Sequence, residues 1–246
     1  MFLGRPAVLL LLAWFCVGQR ALAQQCPNME GASANLGRQD ASARIEFIRH
    51  RMPTARRRAK RWFLGWTLSF TALTAGQLAL IPLQDDPESK RTLLVNSGST
   101  ALGAAFLAFA PPKVIRHEKR LEAELAAKTD DRCAVLAVAE QLLLSEAEAE
   151  QFGQSWLMHG GNVLLNLGAG LLLGLGWDSW QSAWLTTAVG TLVGEVMIWT
   201  QPMDATRDLE RYRTGKWIGQ TARRPTLHVH PVYVRAGGGV GLSGLF

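Results

Sequence analysis

The sequence predicts an all-α integral membrane protein with four transmembrane helices as two antiparallel hairpins, an extramembrane helical cap and a short C-terminal β-like tail. Four apolar stretches, residues 62–82, 93–110, 156–176 and 180–199, each approach the ~20 residues a helix needs to cross a bilayer. Charges crowd instead into 38–61, 113–150 and 203–224. The 48% hydrophobic content of the 246-residue chain therefore averages two unlike parts. The connections within each pair of stretches are also short, and such connections join antiparallel neighbours.

Residues 1–23 read as a secretory signal: Arg5 in the charged region, a run over 7–18 too short to span, and Ala21-Leu22-Ala23 as the cleavage site. Gln25 stands where lipidation of Cys26 would want a small residue, so plain cleavage after Ala23 is expected. Cys16 leaves with the signal. Cys26 and Cys133 remain, and if both are exported the oxidising compartment favours a disulfide between them.

Residues 24–61 form a basic extramembrane segment whose charged helix, over 39–60, is expected to break at Pro53. Arg49, Arg51, Arg56, Arg57, Arg58, Lys60 and Arg61 follow one another with no acid between them. The first transmembrane hairpin, 62–111, turns within 83–91, where Pro82, Pro87, Asp85, Asp86 and Glu88 gather. Pro111 and Pro112 end its second helix. The insertion 112–155 reads as helical, with Asp130 or Asp131 capping a helix whose apolar face is Val135, Leu136, Val138, Ala139, Leu142 and Leu143. Ser145 and Glu148 have the spacing of a capping box for the turn into the third span.

The second hairpin, 156–200, turns at 177–180. Trp62, Trp66, Trp156 and Trp199 fall at one end of the spans and Trp177 and Trp180 at the other, as interfacial belts. Gly170 with Gly174, and Gly190 with Gly194, have the spacing of close helix packing. Residues 201–246 form a basic linker and a tail alternating over 226–234 and again over 239–246. His228 and His230 share a face there but make an incomplete metal site.

Topology is contested between two signals. The positive-inside rule draws the basic clusters to the cytoplasm, as an uncleaved first helix would. A cleaved signal places both terminal segments in the periplasm of a bacterial-type inner membrane, with the clusters against anionic lipid headgroups.

The candidate site is polar and intramembrane. His159, Asn162 and Asn166 share one helix face, and Thr187, Thr191 and Glu195 share another. Antiparallel pairing about residues 178–179 puts Asn162 beside Glu195, Asn166 beside Thr191 and Gly170 beside Thr187. A second seam is expected between Thr67, Thr71 and Thr74 and the stripe Asn96, Ser99, Thr100 and Gly103. An ionisable residue within a span costs ~2.5–3.5 kcal/mol unless paired, which makes Glu195 a functional lead. No GxSxG, HExxH or phosphate-binding loop occurs, and the net charge of +6 comes from the clusters flanking the spans. The sequence thus points to a structural or partner-subunit role in the cell envelope, with an envelope protein as partner and no nucleic acid, enzyme activity, cofactor or metal. The alternative is a small transporter or channel using the seam around Glu195.

Overall fold

The computed structural model describes residues 26–128 and 130–218, and the backbone of 226–234 and 237–245. The expected signal segment lies outside the described residues. A short helix α1 (Ala34–Gly37) leads into α2 (Ala41–Leu80), capped by Asp40, whose carboxylate accepts from Ser42 N at 3.0 Å. A 3-10 turn over Ile81–Leu83 closes α2. α3 (Pro87–Phe109) starts with Pro87 in its first turn and Asp86 as cap, accepting from both Ser89 N and Ser89 Oγ at 2.8 Å.

After Pro111 and Pro112 come α4 (Val114–Ala127) and α5 (Arg132–Gly153), the latter capped by Asp131, which accepts from Ala134 N at 2.9 Å. α6 (Trp156–Trp177) ends at Asp178 in the left-handed region (φ 54°), and α7 (Trp180–Trp199) starts two residues later. α8 (Asp204–Thr214) is closed by Gly215 at φ 66°, where a side chain would be strained. The tail forms an antiparallel ribbon of β1 (Thr226–Val234) and β2 (Gly237–Leu245), with Thr226 opposite Leu245 and Val234 opposite Gly237.

Three helical runs, Ala41–Leu83, Pro87–Ala127 and Arg132–Trp177, are long and apolar enough to cross a membrane. Their apolar side chains point outward: Leu68 is 66% exposed, Phe109 90% and Leu175 73%. A soluble protein does not leave so continuous an apolar surface in water. The chain is a membrane protein.

Two sequence expectations are corrected. Pro53 does not interrupt the first charged helix, because α2 runs unbroken from Ala41 to Leu80 through both the basic segment and the first apolar stretch. Proline removes the donor for the Arg49 carbonyl, but the surrounding side chains hold α2 against its neighbours. Met52 is buried, and Arg49, Arg51, Arg56 and Arg58 pair with Glu122, Asp208, Glu118 and Asp204 at 2.8, 2.6, 2.5 and 2.8 Å. Nor does Ser145 cap a helix. It sits inside α5 and donates to Leu142 O at 3.0 Å, and the chain turns only at Gln154.

The N-terminal half of α2 packs with α1, α4, α5 and α8 into a helical head. Its core holds Leu36, Ile48, Leu121, Leu142, Leu209 and Tyr212. Cys26 and Cys133 lie at disulfide distance beside it, with Cα atoms 5.3 Å apart, against Ala41, Ile45, Val135 and Leu136. Beyond the head, α2 packs along α3 and α6 along α7. At the head end, Thr200 Oγ1 accepts from Trp62 Nε1 and Trp66 Nε1 at 3.3 and 3.1 Å, joining α2 to the end of α7. At the far end, Ser182 Oγ donates to Glu88 Oε1 at 2.8 Å, joining α7 to α3.

Candidate functional site

The polar residues of α6 and α7 form a ladder of hydrogen bonds between the two helices. His159 Nδ1 lies 2.6 Å from Glu195 Oε2, and Asn162 Nδ2 donates to Glu195 Oε1 at 3.0 Å. Both carboxylate oxygens are therefore engaged. Asn162 Nδ2 also reaches Thr191 O at 3.0 Å. Asn166 Nδ2 donates to Asn162 O at 2.8 Å and to Asn162 Oδ1 at 2.9 Å, and Thr187 Oγ1 donates to Asn166 O at 3.2 Å. Four of the six candidate side chains, His159, Asn162, Asn166 and Glu195, thus form one chain of contacts. The His159 ring packs near Trp199, centroids 5.6 Å apart, at the head end.

The glycines explain how the ladder fits. Asn162 Oδ1 occupies the place a Cβ on Gly194 would take, and Asn166 Oδ1 does the same at Gly190. On the opposite helix, Thr187 Oγ1 fills that place at Gly170, and the Trp180 ring lies 2.8 Å from it at Gly174. Each bulky or polar side chain thus sits in a notch that glycine leaves in the facing helix. Asn166 lies over Gly190 instead of meeting the Thr191 side chain, and Thr191 Oγ1 is buried without a hydrogen-bond partner. The glycine spacing was visible in the sequence, as was the asparagine spacing. The pairing of Gly170 with Thr187 follows from the sequence register, but the seating of Asn162 at Gly194 and of Asn166 at Gly190 does not.

The second seam is smaller. Thr74 Oγ1 and Thr100 Oγ1 are 2.8 Å apart, Thr100 Oγ1 donates to Gln77 Oε1 at 3.2 Å, and Phe70 packs on Gly103. Thr71 turns back onto its own helix and donates to Thr67 O at 2.8 Å. Asn96 and Ser99 are half-buried and make no side-chain hydrogen bond among the described residues.

A second polar centre, which sequence reading missed, lies in the head. Arg44 is fully buried: its Nη2 is 2.5 Å from Glu140 Oε1, and its Nε donates to Tyr212 Oη at 3.0 Å. Tyr212 Oη in turn donates to the same Glu140 oxygen. Burial first, then donation to Glu140, push the Tyr212 phenol well above its ordinary range, so it stays a neutral donor. Nearby, Glu150 of α5 caps α8, accepting from Ala205 N at 3.1 Å and Thr206 N at 2.8 Å. Burial raises the Glu150 carboxyl despite these bonds. The Glu146 carboxyl, 2.9 Å from His117 Nδ1, is also raised by burial. These contacts are lost to a linear reading because Arg44, Glu140 and Tyr212 are far apart in the chain and each looks like a solvated helix residue alone.

Among the described residues no three His, Cys, Asp or Glu side chains gather as metal ligands. The side chains of His228 and His230 lie outside the description. No family model, curated protein or solved structure matches the chain.

Proposed function

We propose that this chain is a scaffold or partner subunit of a bacterial-type inner membrane, crossing it four times as two antiparallel hairpins over 62–111 and 156–200. α7 serves as the fourth span, supported by its exposed Trp184, Leu192, Val196 and Trp199. The observation that carries the reading is the state of Glu195. Both its oxygens are held inside one helix pair, by His159 and Asn162, so the carboxylate acts as interhelical glue and not as an open relay for ions.

The head lies on the periplasmic side in this reading. The disulfide-distance cysteines support an oxidising compartment. The ion pairs of Arg49, Arg51, Arg56 and Arg58 give much of the basic cluster a folding role that does not depend on topology. Arg57, Lys60 and Arg61, exposed and without an ion pair among the described residues, sit next to Trp62 and would meet anionic headgroups. The rest of the head surface would engage an envelope protein.

Glu195→Gln tests the reading in proteoliposomes loaded with a pH-sensitive dye. The scaffold reading expects no proton flux above empty vesicles for either protein, and a variant that still folds. Flux through the wild type that the variant loses, or shifts in pH dependence, would overturn it in favour of transport.

A further inference from the structure

Between the two helix pairs lies a cavity of about 960 Å³, bounded by α3, α6, α7 and the C-terminal part of α2. That is near the upper end of the ~300–1,000 Å³ typical of small-ligand sites. We propose that it binds a neutral amphiphilic lipid, whose uncharged head offers carbonyl or hydroxyl oxygens and whose tail is a single long hydrocarbon or prenyl chain.

The lining selects for this chemistry. No Asp, Glu, Lys, Arg or His lines the cavity, so a charged head would enter without a counter-ion, at a desolvation cost a low-dielectric site does not return. An entirely hydrocarbon ligand is also disfavoured. Asn96 and Ser99 face the cavity with no protein partner for their side chains, and Thr92 Oγ1 is buried there without one. In a bilayer interior such groups need partners, and no lipid tail can supply them.

Along α3 the two chemistries are separated, while across from it Asn162 and Asn166 present amides already hydrogen-bonded within α6 and α7. α3 rises ~1.5 Å per residue, so Thr92, Asn96 and Ser99 form a polar strip running from its far-end start to mid-depth. Leu102, Phe106 and Phe109 continue the wall toward the head as a purely apolar surface. A lipid would lie with its head on the strip and its tail toward Phe106.

Gly161 offers a plug. It lines the cavity, and a Cβ placed on it meets nothing within 4 Å, so a side chain can start there without a clash and take up space at the cavity wall.

The proposal rests on the membrane reading of these helices, and the experiment separates the two. The full chain, purified in detergent, is titrated with decylubiquinone or monooleoylglycerol as single-chain neutral probes and with monooleoyl lysophosphatidylglycerol as the single-chain anionic control, bound lipid being counted by native mass spectrometry. Saturable one-to-one binding of at least one neutral probe is expected, with the anionic lipid at least ~10-fold weaker. Gly161→Leu and Asn96→Leu should each weaken the neutral probe by ~10-fold or more. Preference for the quinone or for the monoacylglycerol identifies which single-chain neutral lipid fits.

Equal binding of charged and neutral lipids would overturn the proposal, as would wild-type binding in both variants or no saturable binding at all. So would a dimer that Gly161→Leu dissociates, because a second copy would then fill the space. Carbonate extraction of the expressed protein reports separately on membrane integration: release from the membrane sinks that reading whatever the lipid titration shows.

Discussion

Replacing Arg44 by Met should destabilise the head more than any exposed charge substitution. Arg44 is 0% exposed and its guanidinium holds Glu140 at 2.5 Å, Tyr212 at 3.0 Å and Pro27 O at 3.4 Å. Methionine fills a similar volume but leaves the Glu140 carboxylate with only the tyrosine as donor. Removing one partner of a buried pair costs about 3–5 kcal/mol, since the remaining charge loses its compensation. Arg44 Nη1 has no partner, which already weakens the native arrangement and places the expected loss near 3 kcal/mol. At about 2–4 °C per kcal/mol for a chain of this size, the melting temperature should fall by about 10 °C. The assay is a near-ultraviolet circular dichroism melt of the full chain in detergent. Arg44→Met with Glu140→Leu, which removes both charges, should recover most of the loss, a coupling of about 2 kcal/mol. A fall below about 2 °C for the single variant, or a double variant no better than the worse single one, would refute the claim that burial makes these two residues interdependent.

The notches between α6 and α7 predict a graded series. Gly194→Val must displace the Asn162 amide and should cost about 1–3 kcal/mol in detergent melts, whereas Gly168→Ala, with nothing within 4 Å of its new methyl, should be neutral or stabilise by up to about 1 kcal/mol. Equal effects at the two positions would remove the ladder as an explanation. Intact mass with and without reduction should show a chain beginning at Gln24 in which Cys26 and Cys133 resist alkylation until reduced, and Cys133→Ser, which opens a loop of 107 residues, should cost about 4 kcal/mol. A chain retaining Met1 with freely alkylated thiols would put the head in the cytoplasm. For Glu146 the sign follows from burial, which raises its folded pKa above the ordinary 4.5. Its contribution to stability is full below 4.5 and is lost as pH rises through the folded value. Glu146→Gln should therefore gain on the wild type as pH rises from 4.5 toward neutral. A constant stability difference across that range would mean the carboxyl titrates alike in both states.

Much of the fold was legible because it rests on local signals. The cap at Asp131 and the helix start at Trp156 each depend on a few neighbouring side chains and a change in hydropathy, whereas the helix that Asp86 caps starts at Pro87, inside what the sequence reads as the turn. What stayed hidden depends on partners far away in the chain. Pro53 reads as a break, since proline inside a helix costs about 3 kcal/mol. The structure sets against that cost four arginines between positions 49 and 58, each reaching an acid on α4 or α8. The row of arginines that looked like a topology signal also ties α2, on both sides of Pro53, to α4 and α8.

That continuity has a mechanical consequence for the proposed scaffold role. Because α2 runs from the head core into the apolar layer without a joint, a force or partner acting on the head rotates the first span with it. Trp62 and Trp66, bonded to Thr200, connect the same helix to the end of α7, so the second helix pair would feel the movement too. The cavity lies between the two pairs, and its width would follow. Substituting Thr200 by Val removes the acceptor for Trp66 and one of two for Trp62, which keeps Met197 O at 3.3 Å, and should leave the head fold unchanged while loosening the two pairs. Faster hydrogen exchange at the head ends of α2 and α7, with α5 and α8 unaffected, is the expected result. Uniform exchange throughout would show that the pairs are held together elsewhere, by contacts such as Ser182 with Glu88 at the far end.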